Sequence, residues 1–158
     1  RLQKIIAAGG LQAAQATALL GKAAIANARL AYADFKQFVA TERWQKLAAA
    51  GVHVQRPLWA STSTKNTAYR DVIYVEELIG LHTVNTVPPQ TLVAFLEHGV
   101  VRPSLEQDLE AARQALRELE ALGISMSQVT AQLEEEGVKS FSEAFTVLLQ
   151  AIERKLKG

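Results

Sequence analysis

Apolar residues recur along this chain mostly at helical spacing. From Lys22 onward, Ile25, Ala28, Tyr32, Phe35 and Val39 follow one another at steps of 3, 4, 3 and 4. That is one stripe of a helix lying on something larger. Leu105, Leu109, Ala112, Leu116 and Leu119 form a second stripe, and Phe141, Phe145, Leu148, Ile152 and Leu156 a third. Ser104 with Gln107 reads as a capping box for the second, which Gly123 ends. Ser127 is the expected cap of a helix running to Glu136, with Gly137 as its stop. Ahead of the first stripe, Arg1 to Ala8 reads as a short helix ended by Gly9-Gly10, and Leu11 to Leu20 as an alanine-rich one. Gly21 either interrupts or merely weakens the helix that carries the first stripe. Thr41 with Glu42 can cap a further short helix carrying Trp44 and Leu47 and closed by Gly51.

The middle of the chain changes rhythm. Pro57 to Ala60 is a short apolar run that can be buried on both faces, as parallel strands are. A helix from Val72 to Ile79 is expected next, stopped by Gly80, then a strand from Thr83 to Thr86. Pro88-Pro89 opens a helix through Leu96, since proline at a first helical turn removes no needed donor. Strand, helix, strand, helix is the pattern of a parallel sheet. Two strands do not make a stable parallel sheet in water, so further residues or other copies of the chain are expected to complete it.

The first strand runs straight into six polar residues, Ser61 to Asn66, which include Lys65. Hydroxyls and an ammonium at the end of a buried strand suit an anionic oxygen, phosphate above all. The same residues also suit a strand-to-helix loop whose hydroxyls bond only its own backbone. On residue types alone both readings stand.

Composition narrows the function classes. The chain has 158 residues, 49% hydrophobic and 21% charged, the balance of a soluble globular domain. A net charge of +1 provides no field to recruit nucleic acid or anionic lipid, and no basic stripe is interleaved with aromatics. There is no cysteine, so disulfides and thiolate metal sites are excluded, and no apolar run reaches the roughly 18 residues of a membrane span. No signal peptide and no glycine-rich nucleotide loop is visible. His53, His82 and His98 are scattered without metal-ligand spacing, and Glu134 to Glu136 reads as a solvated helix face.

Three blocks then point to a family. Arg56-Pro57-Leu58-Trp59-Ala60-Ser61-Thr62 with Lys65-Asn66, then Tyr74 to Gly80 (YVEELIG), then Thr83 to Leu92 (TVNTVPPQTL), resemble the bacterial transaldolases. The resemblance runs from about Gly21 to the C-terminus and is densest between Arg56 and Leu92. It implies an α/β fold: the C-terminal portion of a (β/α)8 barrel, mostly helical here with two short parallel strands. Such barrels run to about 250 residues or more, and family members are roughly twice this length. Residues 1–158 would then be the part after the sixth strand, and the absence of an initiator Met fits a fragment.

Transaldolases use a lysine Schiff base to pass a dihydroxyacetone unit from a ketose phosphate such as sedoheptulose 7-phosphate to an aldose phosphate such as glyceraldehyde 3-phosphate. The resemblance implies that the Schiff-base lysine and the acid/base carboxylates lie on strands outside this chain, with no cofactor and no metal. Ser61 matches the serine that holds the sugar phosphate. Lys65 stands nearest to where many members have an arginine, at a shifted spacing, and is expected to bind phosphate and not to act as nucleophile. Thr62, Asn85 and Thr86 are the expected lining. The implied partners are sugar phosphates, neither nucleic acid nor membrane, with association to the missing N-terminal half or to a second copy. The implied location is the cytoplasm. The alternative is a non-catalytic helical interaction module derived from a transaldolase.

Overall fold

A computed structural model describes residues 1–157. In chain order its elements are α1 (Leu2–Ala8), α2 (Leu11–Ala18), α3 (Ala23–Ala40), α4 (Glu42–Ala49), β1 (Leu58–Trp59), α5 (Ile73–Glu76), β2 (Val84–Asn85), α6 (Pro89–His98), α7 (Leu109–Ala121) and α8 (Met126–Lys157). The described residues are therefore mostly helical, with two short strands. β1 and β2 are parallel, with Leu58 opposite Val84 and Trp59 opposite Asn85. Their ladder consists of Val84 N–H donating to the Pro57 carbonyl and Thr86 N–H donating to the Trp59 carbonyl, each at 2.9 Å.

Two apolar clusters carry the packing. Ala16, Leu19, Ala26, Ala112, Ala115, Leu119, Leu122 and Ile124 form the larger one, where α2, α3 and α7 meet. Alanine dominates that seam, so the α3 and α7 backbones can approach closely. Tyr32, Leu78 and Leu105 form the second, with Ala28, Phe35 and Trp59 packed against it. α3 belongs to both clusters and is the spine of the fold. Its stripe faces inward as expected, but the fully buried face is shifted to Ala26, Arg29 and Tyr32.

Several sequence expectations are corrected. The strands are shorter than Pro57 to Ala60 and Thr83 to Thr86, and β1 is not buried on both faces: Leu58 is 55% exposed. The helix expected over Val72 to Ile79 keeps only four helical residues, whereas α6 continues two residues past Leu96. Gly21, at φ +77°, does separate α2 from α3. Gly137 does not stop α8, which runs through it as one 32-residue helix. Glycine inside a helix costs about 1 kcal/mol against alanine, which weakens a helix without breaking it. The side chain at its start is Ser125, whose hydroxyl accepts from Gln128 N–H, in place of Ser127. The Thr41 cap is present, its hydroxyl accepting from Trp44 N–H at 3.3 Å.

The capping box at Ser104 is absent, because Ser104 has another task. Its side chain is completely buried. The hydroxyl donates to the Glu76 carbonyl at 2.5 Å and accepts from Ile79 N–H at 3.1 Å. The Ser104 and Leu105 N–H groups both donate to the Ile79 carbonyl. Ser104 thus clamps the segment before α7 onto the end of α5, and α7 starts four residues after Leu105. Gly80 permits this approach, since a Cβ there would lie 2.7 Å from a Leu105 methyl carbon.

Ser104→Ala is expected to cost about 1–3 kcal/mol, because Ile79 N–H would be left buried without an acceptor. Chemical denaturation of the variant checks this, and a Ser104→Thr substitution that also fits the site is expected to recover part of the loss.

Candidate functional site

The polar run after β1 leads from the strand to α5, and its residues divide into two sets. Thr62 is 3% exposed, and its hydroxyl donates to the Asn85 side-chain oxygen at 2.8 Å, fastening the end of β1 to β2. The Thr64 hydroxyl lies 3.2 Å and 2.9 Å from the carbonyl oxygens of Arg70 and Asp71, closing the loop onto the approach to α5. The Asn66 side chain accepts from Ala68 N–H two residues on, an Asx turn. Ser61, Ser63 and Lys65 have no side-chain hydrogen bond within the described residues. Even-numbered positions fasten the loop, and odd-numbered positions are left for other partners.

Ser61, Thr62, Ser63 and Lys65 all line one open cleft of about 610 Å³ between β1 and α3, with Asn27 and Tyr74 on its walls. Lys65 is the only charged residue of that lining. Of the sequence-named residues, the structure therefore brings Ser61, Thr62 and Lys65 together. Asn85 joins them through its bond to Thr62, and Thr86 does not join them: its hydroxyl donates back to the Trp59 carbonyl at 3.1 Å. Ser63, Asn27 and Tyr74 were missed. Ser63 could have been found from the alternation within the run, whereas Asn27 lies on a distant helix and carries no local signal.

Ser61 has φ +56°, in the left-handed region that non-glycine residues seldom occupy. Such a residue costs about 1–2 kcal/mol relative to right-handed backbone. Glycine would take the turn without that cost, so the chain keeps a hydroxyl here at the expense of some stability.

The loop is anchored by ionic clamps around α5. Arg70 donates two hydrogen bonds to the Glu76 carboxylate, at 2.9 and 3.0 Å, and a third to the His98 carbonyl. Val100 N–H also donates to Glu76. Next to it, Glu77 is shared between Arg29 of α3 and Arg102. A second groove, of about 520 Å³ between α3 and α7, includes Arg29 and Glu77, but these charges already answer each other. The hydrogen bonds from Arg70, more than the burial that opposes them, hold the Glu76 carboxyl below its ordinary value near 4.5.

The family described as Transaldolase/Fructose-6-phosphate aldolase matches residues 2–152. The chain belongs to that family. It is 50% identical over 143 residues to a transaldolase of Parafrankia sp., covering 90% of this chain and 39% of that protein. It is 47% identical over 158 residues to transaldolase 1 of Streptomyces avermitilis, covering 99% of this chain and 41% of the other. A transaldolase of Trichodesmium erythraeum is 44% identical over 91% of the chain and 38% of its own length. This family member thus spans about two fifths of the length of the curated relatives it matches, less than the half expected from its motifs. No helix among the described residues is long and apolar enough to cross a membrane.

Because the folded Glu76 carboxyl is held low, its ion pair adds stability above the ordinary carboxylate range, and that stability is lost as pH falls through the lower folded value. Glu76→Gln is expected to cost about 1–3 kcal/mol near neutrality. The gap from wild type should shrink as pH falls below the ordinary carboxylate value near 4.5. Urea midpoints measured across that range check it, and a gap independent of pH would contradict the role given to the charge.

Proposed function

We propose that this chain is the phosphate-holding, C-terminal portion of a transaldolase barrel. The reaction is transfer of a dihydroxyacetone unit between sugar phosphates through a lysine Schiff base. The lysine and its acid/base carboxylates are contributed by strands outside residues 1–158. The observation that supports this most is the set of unpartnered side chains, Ser61, Ser63 and Lys65, at one cleft following the C-terminal end of a parallel strand. Barrel enzymes build their sites from the loops at that end. The two hydroxyls donate single hydrogen bonds to phosphate oxygens, and the Lys65 ammonium supplies the counter-charge. Thr62 lines the cleft and, bonded to Asn85, holds the loop in position, while Thr86 closes the strand pair.

The barrel assignment also draws on β1. A two-stranded parallel pair is not a stable sheet by itself, and the buried Trp59 indole N–H has no acceptor among the described residues. Further strands of the same barrel would complete the two-stranded sheet. The alternative, a non-catalytic interaction module, is favoured by one feature, the exposed apolar stripe of α8. The intact mass of the native protein separates the two: a product near 17 kDa favours the module.

The chemistry can be tested at two points. Borohydride trapping of the isolated chain with a ketose phosphate is expected to leave it unmodified by mass spectrometry, and an adduct on Lys65 would overturn the role given to that lysine. In the enzyme containing this chain, Ser61→Gly is expected to lower kcat/KM for phosphorylated sugars by roughly ten- to a hundredfold. It should leave unphosphorylated substrates nearly unchanged and stability unchanged or slightly higher, because glycine relieves the positive φ at position 61. Lys65→Ala is expected to act alike and more weakly, since a solvated ammonium loses much of its attraction to water. Equal losses on both substrate classes would remove phosphate from this cleft.

A further inference from the structure

Of the three histidines, only His98 makes a side-chain hydrogen bond among the described residues. It is the last residue of α6, and its ring Nε2 lies 2.9 Å from an Asp71 carboxylate oxygen. Its carbonyl accepts from the Arg70 guanidinium at 2.6 Å. Two residues on, Val100 N–H donates to the Glu76 carboxylate that Arg70 also holds. The end of α6 is thus gripped by its ring, by its carbonyl and by the backbone that follows. Gly99 gives the chain room to leave the helix there, since a Cβ at that position would lie 2.5 Å from the Phe95 carbonyl oxygen.

Arg70 and Asp71 are also the two residues whose carbonyls face the Thr64 hydroxyl, at 3.2 and 2.9 Å. Each of them therefore bonds His98 through its side chain and Thr64 through its backbone. The links close into a ring. Thr62 bonds Asn85 of β2, β2 leads through Pro88 into α6, and α6 ends at His98. From His98 the contacts return through Arg70 and Asp71 to Thr64. One strand-and-helix unit so holds both fastened positions of the loop, with Ser61, Ser63 and Lys65 beside them at the cleft. Every one of these bonds is made between residues 62 and 100, so none relies on an open surface.

We propose, on the reading of that loop as the phosphate site, that His98 is a positioning residue for it, acting through Asp71, Arg70 and Thr64. The side chains of His98 and Asp71 are 40% and 60% exposed, and so open a pair adds little stability by itself. Its effect is on order. A loop that must be ordered as the anion arrives gives up part of the binding energy, and a loop ordered in advance keeps it. Loss of the link should therefore appear in the binding of phosphorylated sugars and hardly at all in the chemical step.

Steady-state kinetics of the enzyme containing this chain, with glyceraldehyde 3-phosphate and with free glyceraldehyde as acceptor, test this. His98→Ala is expected to raise KM for the phosphorylated acceptor about three- to tenfold, with kcat nearly unchanged and free glyceraldehyde little affected. His98→Gln, whose side-chain amide can reach Asp71 as the ring does, should recover most of the loss. Thr64→Val should reproduce it, and the double variant His98→Ala, Thr64→Val should lose no more than the worse single variant, because both break one link. Losses that multiply in the double variant, or a His98→Gln as impaired as His98→Ala, would overturn the role given to His98. Ser61→Gly controls for the phosphate reading. If Ser61→Gly is selective for the phosphorylated acceptor and His98→Ala is not, that reading stands and the positioning role falls. If Ser61→Gly itself is unselective, both fall.

Discussion

A helix of four residues cannot hold itself, and this fold depends on holding one. α5 has one turn, too short to offset the entropy of its own nucleation. Its position is imposed from outside, by the buried Ser104 hydroxyl on the Glu76 carbonyl and Ile79 N–H, by Arg70 on Glu76, and by Arg29 and Arg102 on Glu77. Those bonds draw α3, the loop after β1 and the segment after α6 to one place. The second apolar cluster closes over it, with Tyr32 from α3, Leu78 from just after α5 and Leu105 from the clamped segment. Removing a partner from such a clamp costs more than the bond itself, because the group left behind is desolvated.

The clamp also connects packing to the candidate site. Thr64 ties the polar loop to the two carbonyls just ahead of α5, and Thr62 ties its beginning to β2. With both ends fixed, Ser61, Ser63 and Lys65 are left without side-chain partners among the described residues, at the same cleft. A loop that used all of its hydroxyls on its own backbone would be rigid and chemically inert. One that used none would be too mobile to hold an anion in a defined place. The alternation gives rigidity and free donors together, and the left-handed backbone at Ser61 is the local expense of that arrangement.

The described residues present two kinds of unpaired surface, and they differ in character. The β1–β2 pair presents the backbone groups of its two edges, which are directional hydrogen-bonding groups. The α8 stripe presents apolar side chains flanked by charge.

What the sequence determined by itself was mostly local or carried by motif. Periodicity located α3 and α7, because burying one face of a helix demands the 3-and-4 spacing whatever the face lies against. The Thr41 cap and the proline start of α6 were legible because their partners lie within one turn. The three motif blocks pointed to the family, and the polar run offered Ser61, Thr62 and Lys65 as candidates. Tertiary structure decided the rest. Ser104 looked like a cap and became a clamp, because a hydroxyl bonds whichever buried group most needs a partner, and that group lay 25 residues away in sequence at Ile79. Gly137 looked like a stop and became an interior residue, since one glycine is a small cost against 32 residues of helix. Which hydroxyls of the loop would be used, and which left free, was set by Asn85 and by the carbonyls ahead of α5. Sequence shows donors; only the fold shows which acceptors come within reach.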